Sequence, residues 1–172
     1  KVHLIGYGKW GAVIDNALSD LNVKHVEPKD ADWIIISTPN DLHYEQVAYW
    51  LGQKKNVFCE KPLTLTYESA KELFDFADRM GVSLYVDNDF IIKDITGEPN
   101  DFKVELQDGR TAEFFYGDSS QAIHFVNDDD MTNNQNNPLR TMFEMLFILP
   151  DFEYNRKLTL NATKLSEQVR KT

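Results

Sequence analysis

Six residues near the N-terminus, Gly6-Tyr7-Gly8-Lys9-Trp10-Gly11, constrain the fold more than any other feature of this chain. They follow directly on Val2-His3-Leu4-Ile5, an apolar run of the kind a buried parallel strand shows. Beyond them Val13, Ile14, Ala17, Leu18 and Leu21 fall at helical spacing, so the glycines join a strand to a helix that begins near Lys9 or Trp10. In that context each glycine has a physical role. Gly6 permits the tight turn, Gly8 lets the backbone approach a pyrophosphate, and Gly11 lets the helix pack close to the strand. The helix N-terminus adds free N–H groups and the positive end of its dipole. The loop therefore reads as the pyrophosphate cradle of a dinucleotide site, with a ligand-free glycine turn as the competing reading.

The next eighty residues keep the same rhythm. Trp33 to Ile36 is a second buried strand, closed by Ser37-Thr38-Pro39-Asn40. Tyr44, Val47, Ala48 and Leu51 repeat with a helical period, with Gly52 as the expected stop. Asn56 to Cys59 forms a third strand leading into Glu60-Lys61-Pro62. Ala70, Leu73, Phe74, Ala77 and Met80 mark the cleanest helix, with Glu68 near its start and Gly81 just past its end. Val82 to Val86 is a fourth strand. Short apolar strands alternating with helices imply parallel βαβ units covered on both faces.

A Rossmann-type unit usually carries an acidic residue about 20 positions beyond its glycines, where it binds ribose hydroxyls. Glu27, after Val23 to Val26, is at that distance. Only Pro28 to Asp32 separates it from the next strand, whereas a parallel crossover takes about a dozen residues. One helix–strand unit is therefore missing. Either the second strand ends at Glu27 and the third unit is deleted, or residues 23–27 replace the third strand and the adenosine pocket is lost. Glu27 reads either as a ribose ligand or as a solvated loop charge. As a ligand its charge favours NAD over NADP.

The pattern changes near residue 90. Phe102 to Leu106 alternates apolar and polar residues, Asp108-Gly109 follows, and Thr111 to Tyr116 is a second extended run, which together read as a hairpin. Gln121 to Val126 adds another strand. Residues 127–137 are rich in Asn and Asp and read as a loop; the consecutive carboxylates Asp128-Asp129-Asp130 lack the spacing of a calcium loop. Pro138 opens a helix marked by Leu139, Met142, Phe143, Leu146 and Phe147, and Ala162 to Val169 forms the last one. The expected architecture is α/β: a shortened Rossmann-type parallel sheet over residues 1–90, then a small α+β domain with a reduced antiparallel sheet over 91–172.

Composition excludes several classes. A formal charge of −10 opposes a nucleic acid or an anionic membrane as partner. No apolar stretch approaches the roughly 18–20 residues needed to span a bilayer. Cys59 is the only cysteine, which suits a reducing compartment, and the chain opens on a strand pattern in place of a signal peptide. A cytoplasmic setting is the expectation.

Three segments in fixed order, Gly6 to Gly11, Ser37-Thr-Pro-Asn-Asp-Leu-His43 and Cys59-Glu-Lys-Pro62, resemble the glucose–fructose oxidoreductase family, also called inositol dehydrogenase-like (Gfo/Idh/MocA). The resemblance runs through residues 1–90 and resumes faintly at Asn137 to Phe147 and in the closing helix, so the chain reads as an abridged member. It implies NAD or NADP as cofactor and hydride transfer to or from a sugar-like hydroxyl or ketone. It implies that Ser37, Thr38, Pro39 and Asn40 line the nicotinamide side, with His43 one turn into the next helix near the same pocket or supporting it. It places Glu60 and Lys61 at the end of a parallel strand, with Lys61 touching both the nicotinamide ribose and the substrate hydroxyl, and Asn88 facing the cleft. Gly6, Gly8, Lys9, Trp10, Gly11 and Glu27 complete the expected cofactor set, with Lys61 as the catalytic residue and no metal.

The departures from the family pattern are in the second half. Residues 91–137 are too few for the family's large antiparallel sheet, and no equivalent of its aspartate–histidine pair is found; His124 reads as a sheet residue. Tyr85, Tyr116 and Asp87 are the remaining proton carriers by residue type. A degenerate member acting as a cofactor-binding or assembly subunit is the alternative to an enzyme, with a nicotinamide-dependent lyase behind both. The small antiparallel sheet leaves edges and one face uncovered, which predicts a homo-oligomer formed through it.

Overall fold

The computed structural model describes residues 1–87, 92–98, 101–106, 111–115, 124–126, 138–148 and 150–171. Strands β1 (Val2–Ile5), β2 (Trp33–Ile36), β3 (Asn56–Cys59) and β4 (Leu84–Val86) form one parallel sheet in the order β1-β2-β3-β4. Helices α1 (Lys9–Asp20), α2 (His43–Gly52) and α3 (Tyr67–Met80) make the crossovers. The registers are flush: Ile5 is level with Ile36, Ile36 with Cys59, and Cys59 with Val86. Pairing then runs one residue further, with the Ser37, Glu60 and Asp87 amides donating to the carbonyls of Ile5, Ile36 and Cys59 at 2.8–2.9 Å. The C-terminal edge of the sheet thus carries Gly6, Ser37, Glu60 and Asp87 in one row.

Alternation along each strand divides the core. Ile34, Ile36, Val57, Cys59, Leu84 and Val86 pack with Val47, Leu51, Ala70, Leu73, Phe74 and Ala77 of α2 and α3. Val2, Leu4, Ile35 and Phe58 pack with Ile14, Ala17 and Leu18 of α1 and with Leu139, Met142, Phe143 and Leu146 of α4 (Pro138–Ile148). Phe58 and Phe143 are both fully buried, their ring centroids 4.9 Å apart. Truncating such a ring to alanine costs about 3–5 kcal/mol, so α4 is held by the sheet that the N-terminal residues build.

The second-strand question is settled by pairing. The amide of Val2 donates to Lys24 and the amide of Val26 to Val2, both at 2.9 Å, on the edge of β1 away from β2. Residues 24–26 thus occupy the place of a second strand, reduced to a single bridge at His25, and the unit after it is the deleted one. A one-turn 3-10 helix, Pro28–Asp30, carries the chain directly into β2. The shortcut is clamped by its neighbours. The Lys55 ammonium donates to the carbonyls of Lys29 and Ala31, Asn56 donates to the carbonyl of Asp32, and the N-terminal ammonium pairs with the Asp32 carboxylate at 2.9 Å.

Beyond β4 the backbone forms β5 (Ile92–Glu98), β6 (Asp101–Leu106), β7 (Thr111–Phe115) and β8 (His124–Val126), paired antiparallel in sequence order. The hairpin read from Phe102 and Thr111 corresponds to β6–β7, while β5 has no apolar alternation and carries no strand signal. Helix α5 begins at Phe152, ten residues before the expected start, and ends at Lys171. Its inward residues explain the difference: Asn155, Thr159 and Thr163 are buried where a core helix would carry apolar side chains. The two threonine hydroxyls donate back to carbonyls four residues earlier in the helix. Asn155 instead donates to the carbonyl of Val86 and accepts from its amide, at 2.9 and 3.0 Å. Gly52 is the last residue of α2 and not its stop; the left-handed position after the helix is taken by Lys54, φ 57°.

Candidate functional site

The glycine loop divides into two kinds of glycine. Gly6 adopts φ 101°, and a Cβ there would stand 2.3 Å from the carbonyl oxygen of Ser37. A Cβ on Gly11 would stand 2.0 Å from the carbonyl oxygen of Gly6. Both are demanded by how α1 and the Ser37 turn meet. Gly8 differs: its backbone, φ −71° and ψ −172°, is open to any residue, and a Cβ would meet nothing within 4 Å. Neither conformation nor packing accounts for glycine at that position, which lies at the N-cap of α1. No side chain caps this helix and its first turn holds no acidic residue, so its amide end keeps its positive polarity. Lys9 adds a cation at the first helical position, exposed like Tyr7 beside it.

The second turn is braced from within. The Thr38 hydroxyl donates to Gln46 Oε1 of α2 at 2.6 Å, and Pro39 leads into a 3-10 turn over Asn40–Leu42, leaving Pro39 and Asn40 exposed. Ser37 Oγ is buried beneath the loop without a hydrogen-bond partner among the described residues. His43, the first residue of α2, is turned into the protein and is 1% exposed. Its Nδ1 lies 2.8 Å from the carbonyl oxygen of Pro62 and its Nε2 lies 2.8 Å from that of Thr38. The ring therefore reaches the site through the two turns and not by its own exposed face.

The third turn, Glu60-Lys61-Pro62, contains a cis peptide before Pro62. Glu60 is 6% exposed and accepts a 2.6 Å hydrogen bond from the Trp10 indole nitrogen. That contact joins the glycine loop to the third turn, just as His43 joins the third turn to the second. Lys61, between the two anchored residues, is exposed. In register with Glu60 on the neighbouring strand end is Asp87, fully buried. Burial pushes the Cys59 thiol well above its ordinary range, with the Glu60 and Asp87 charges adding to the effect, so Cys59 is an inert core residue. Burial also raises the Tyr85 phenol, against an Asn155 hydrogen bond that lowers it.

Glu27 stands apart from this row. Counting from the bridge at His25, it is level with Leu4, two residues short of Gly6, and its side chain is exposed. Asn88 lies outside the described residues, as do Tyr116, the carboxylate run at 128–130 and the Asp108-Gly109 turn. His124 lies in β8. Among the described residues no group of three or more His, Cys, Asp or Glu side chains is placed to hold a metal ion, and no helix is long and apolar enough to cross a membrane. The Trp10–Glu60 and Asn155–Val86 contacts, 50 and 69 residues apart in sequence, carry no local signal that sequence reasoning could use.

A flush parallel sheet with a glycine loop, an uncapped helix N-terminus and two further turns at its C-terminal edge defines a Rossmann-type α/β domain. Residues 14–88 match the family described as oxidoreductases with an NAD-binding Rossmann fold. Over those residues the chain is similar to that family. The chain is 40% identical over 135 residues to scyllo-inositol 2-dehydrogenase (NADP(+)) of Bacillus subtilis, covering 57% of this chain and 37% of that protein. It is 44% identical over 55 residues to 1,5-anhydro-D-fructose reductase of Ensifer adhaerens, covering 32% of this chain and 16% of that one. The chain spans well under half the length of the curated relatives it matches. A crystal structure of an NAD binding oxidoreductase from Klebsiella pneumoniae aligns with TM-score 0.57 at 12% identity, over 99% of this chain and 97% of that one. At that identity the likeness concerns the fold alone.

Proposed function

We propose that this chain is an NAD(P)-dependent oxidoreductase that moves a hydride between a nicotinamide and a hydroxyl-bearing or ketone carbon of a sugar or sugar derivative. The observation that carries the reading is Gly8, the glycine of the loop for which the protein itself has no steric or conformational need. Open space at the mouth of an uncapped helix fits a pyrophosphate, which takes backbone amides and tolerates no side chain in its way. Gly6, Gly8, Lys9, Trp10 and Gly11 would hold that group. Ser37, Thr38, Pro39, Asn40, Glu60, Lys61 and Asn88 would line the nicotinamide side, with His43 behind them. Glu27 would take the ribose, and its charge favours NAD over NADP because it repels a 2′-phosphate. The names of the inositol and anhydrofructose enzymes support a sugar-like substrate.

A bound nicotinamide supplies the hydride chemistry; orientation and proton handling fall to the chain. Lys61 is the catalytic residue of the proposal. A carbinol carbon that gives up a hydride leaves its hydroxyl proton to be removed, and the Lys61 side chain, in its amine form, would take that proton from the oxygen and return it in the reverse direction. With Glu60 anchored to Trp10 and Pro62 to His43, the residue between them needs little reorganisation to do so. Residues 91–172 would supply the substrate wall and, through the antiparallel strands, a contact with a second copy in the cytoplasm. The test is thermal stabilisation by NAD(H) and by NADP(H), since a ligand that binds the folded state raises its stability in proportion to the logarithm of concentration over Kd. Stabilisation by NADH that Gly8→Val abolishes is the expected result, together with turnover on a polyol panel that Lys61→Met removes. No stabilisation by any of the four dinucleotides overturns the reading.

A further inference from the structure

We infer that His43 is a positioning residue whose hold falls on the nicotinamide half of the site more than on the glycine loop. The inference rests on the dinucleotide reading above and assigns a division of labour within it. His43 is fully enclosed, so it touches neither solvent nor a ligand at the sheet edge. Its two nitrogens each lie 2.8 Å from a backbone carbonyl, one from Thr38 five residues earlier and one from Pro62 nineteen residues later. A side chain that merely capped its own helix would engage one local group. This one spans two separate turns, both of which follow parallel strands that are hydrogen-bonded to each other, β2 and β3.

The consequence falls on the residues beside those carbonyls. Thr38 is held by His43 through its carbonyl and by Gln46 through its hydroxyl. Lys61 is held at both flanks, through Pro62 by His43 and through Glu60 by Trp10. Neither polar contact of His43 reaches Gly6, Gly8 or Gly11; Gly6 and Gly11 meet the second turn at Ser37. Both partners are carbonyl oxygens that accept, and a neutral imidazole carries one N–H, so the ring donates to one of them at a time and packs against the other. An amide side chain is the nearest replacement that still offers a donor. Loss of the ring therefore loosens the second and third turns first and reaches the glycine loop only through Ser37 and the Trp10–Glu60 bond.

Two ligands separate the halves. ADP carries the adenosine and diphosphate but no nicotinamide or second ribose; NADH carries both. Calorimetric titration of wild type, His43→Gln and His43→Phe with each ligand, alongside thermal denaturation, reads the effect. The expected result for His43→Phe is an NADH affinity lower by about fivefold to tenfold, the scale of one lost positioning hydrogen bond, with ADP affinity within about twofold of wild type. His43→Gln should fall between. An equal loss for both ligands shows general loosening and overturns the inference, as does NADH binding unchanged in both variants. Should His43→Phe fail to fold, the His43→Gln comparison alone decides by the same ratio. Wild type that binds ADP but not NADH overturns the oxidoreductase reading itself, and this inference with it.

Discussion

Two helices of this domain start in opposite ways. Helix α3 completes its own N-terminus: the Thr66 hydroxyl accepts from the Ser69 amide, Glu68 sits in the first turn, and the Tyr67 amide donates to the Glu167 carboxylate of α5 at 2.8 Å. Helix α1 completes nothing. Its N-cap is Gly8, its first turn holds no acid, and the residue that leads it is a lysine. Both helices bury one face against the same sheet, so packing does not explain the contrast. A helix with only a structural task satisfies its end from within the chain. On the proposed function the α1 end is kept for a ligand, and the stabilisation it forgoes is about 1 kcal/mol, the worth of a good cap.

Substitutions at the two ends break or sharpen that contrast. The largest effect belongs to Gly11→Ala, whose methyl would collide with the Gly6 carbonyl. Denaturant melts should show a loss of about 3 kcal/mol or more, the scale of an overpacked contact that only backbone movement can relieve. Gly8→Val, three residues away, should behave in the opposite sense. Stability without ligand should stay within about 0.5 kcal/mol of wild type, because the position has open space and ordinary backbone angles, while NADH affinity falls by about a hundredfold or more. Equal destabilisation by both substitutions would remove the distinction between the two glycines.

Smaller effects are expected at α3. Thr66→Ala should cost about 1 kcal/mol in a denaturant melt and leave NADH affinity unaltered. Smaller still is an acid effect. The Asp75 carboxyl is held below its usual range, chiefly by its hydrogen bond to Lys71 and also by Arg156 of α5. Its folded-state pKa is depressed, so its contribution is present above the unfolded value of about 4 and is lost as pH falls through the lower folded value. Arg156→Gln should therefore flatten the fall in stability between about pH 4 and pH 2. The change will be modest because the group is partly exposed and screened. An unchanged acid profile in Arg156→Gln would show that the α3–α5 ion pairs contribute nothing measurable.

What the sequence makes legible is what depends on neighbours in the chain. The strand before the glycines, the apolar face of α3, the Gly81 turn and the three edge turns all follow from local pattern, and flush parallel pairing brings the turns together. The first half of α5 carries little signal because Asn155, Thr159 and Thr163 share its buried face with Leu158, their polar groups satisfied by carbonyls and a strand edge that only the fold supplies. The same holds for β5, whose polar run is extended because β6 lies beside it. Glu27 shows the limit from the other side. Spacing marks it, yet its place relative to the edge row depends on a bridge at His25 that residue counting cannot locate.

The pair of hydrogen bonds between Asn155 and Val86 has a consequence for where this sheet stops. A primary amide offers one N–H and one C=O at nearly the spacing of a peptide unit, so to β4 it is the first link of a strand that never continues. Among the described residues β4 is the last strand of its sheet, and Asn155 of α5 occupies its outer edge at Val86. Asn155→Asp would keep the shape and lose the donor, and Asn155→Leu would lose both partners, exposing an edge that invites pairing with another chain. A β-sheet can be finished as a sentence is, by one mark of punctuation, and here that mark is an asparagine.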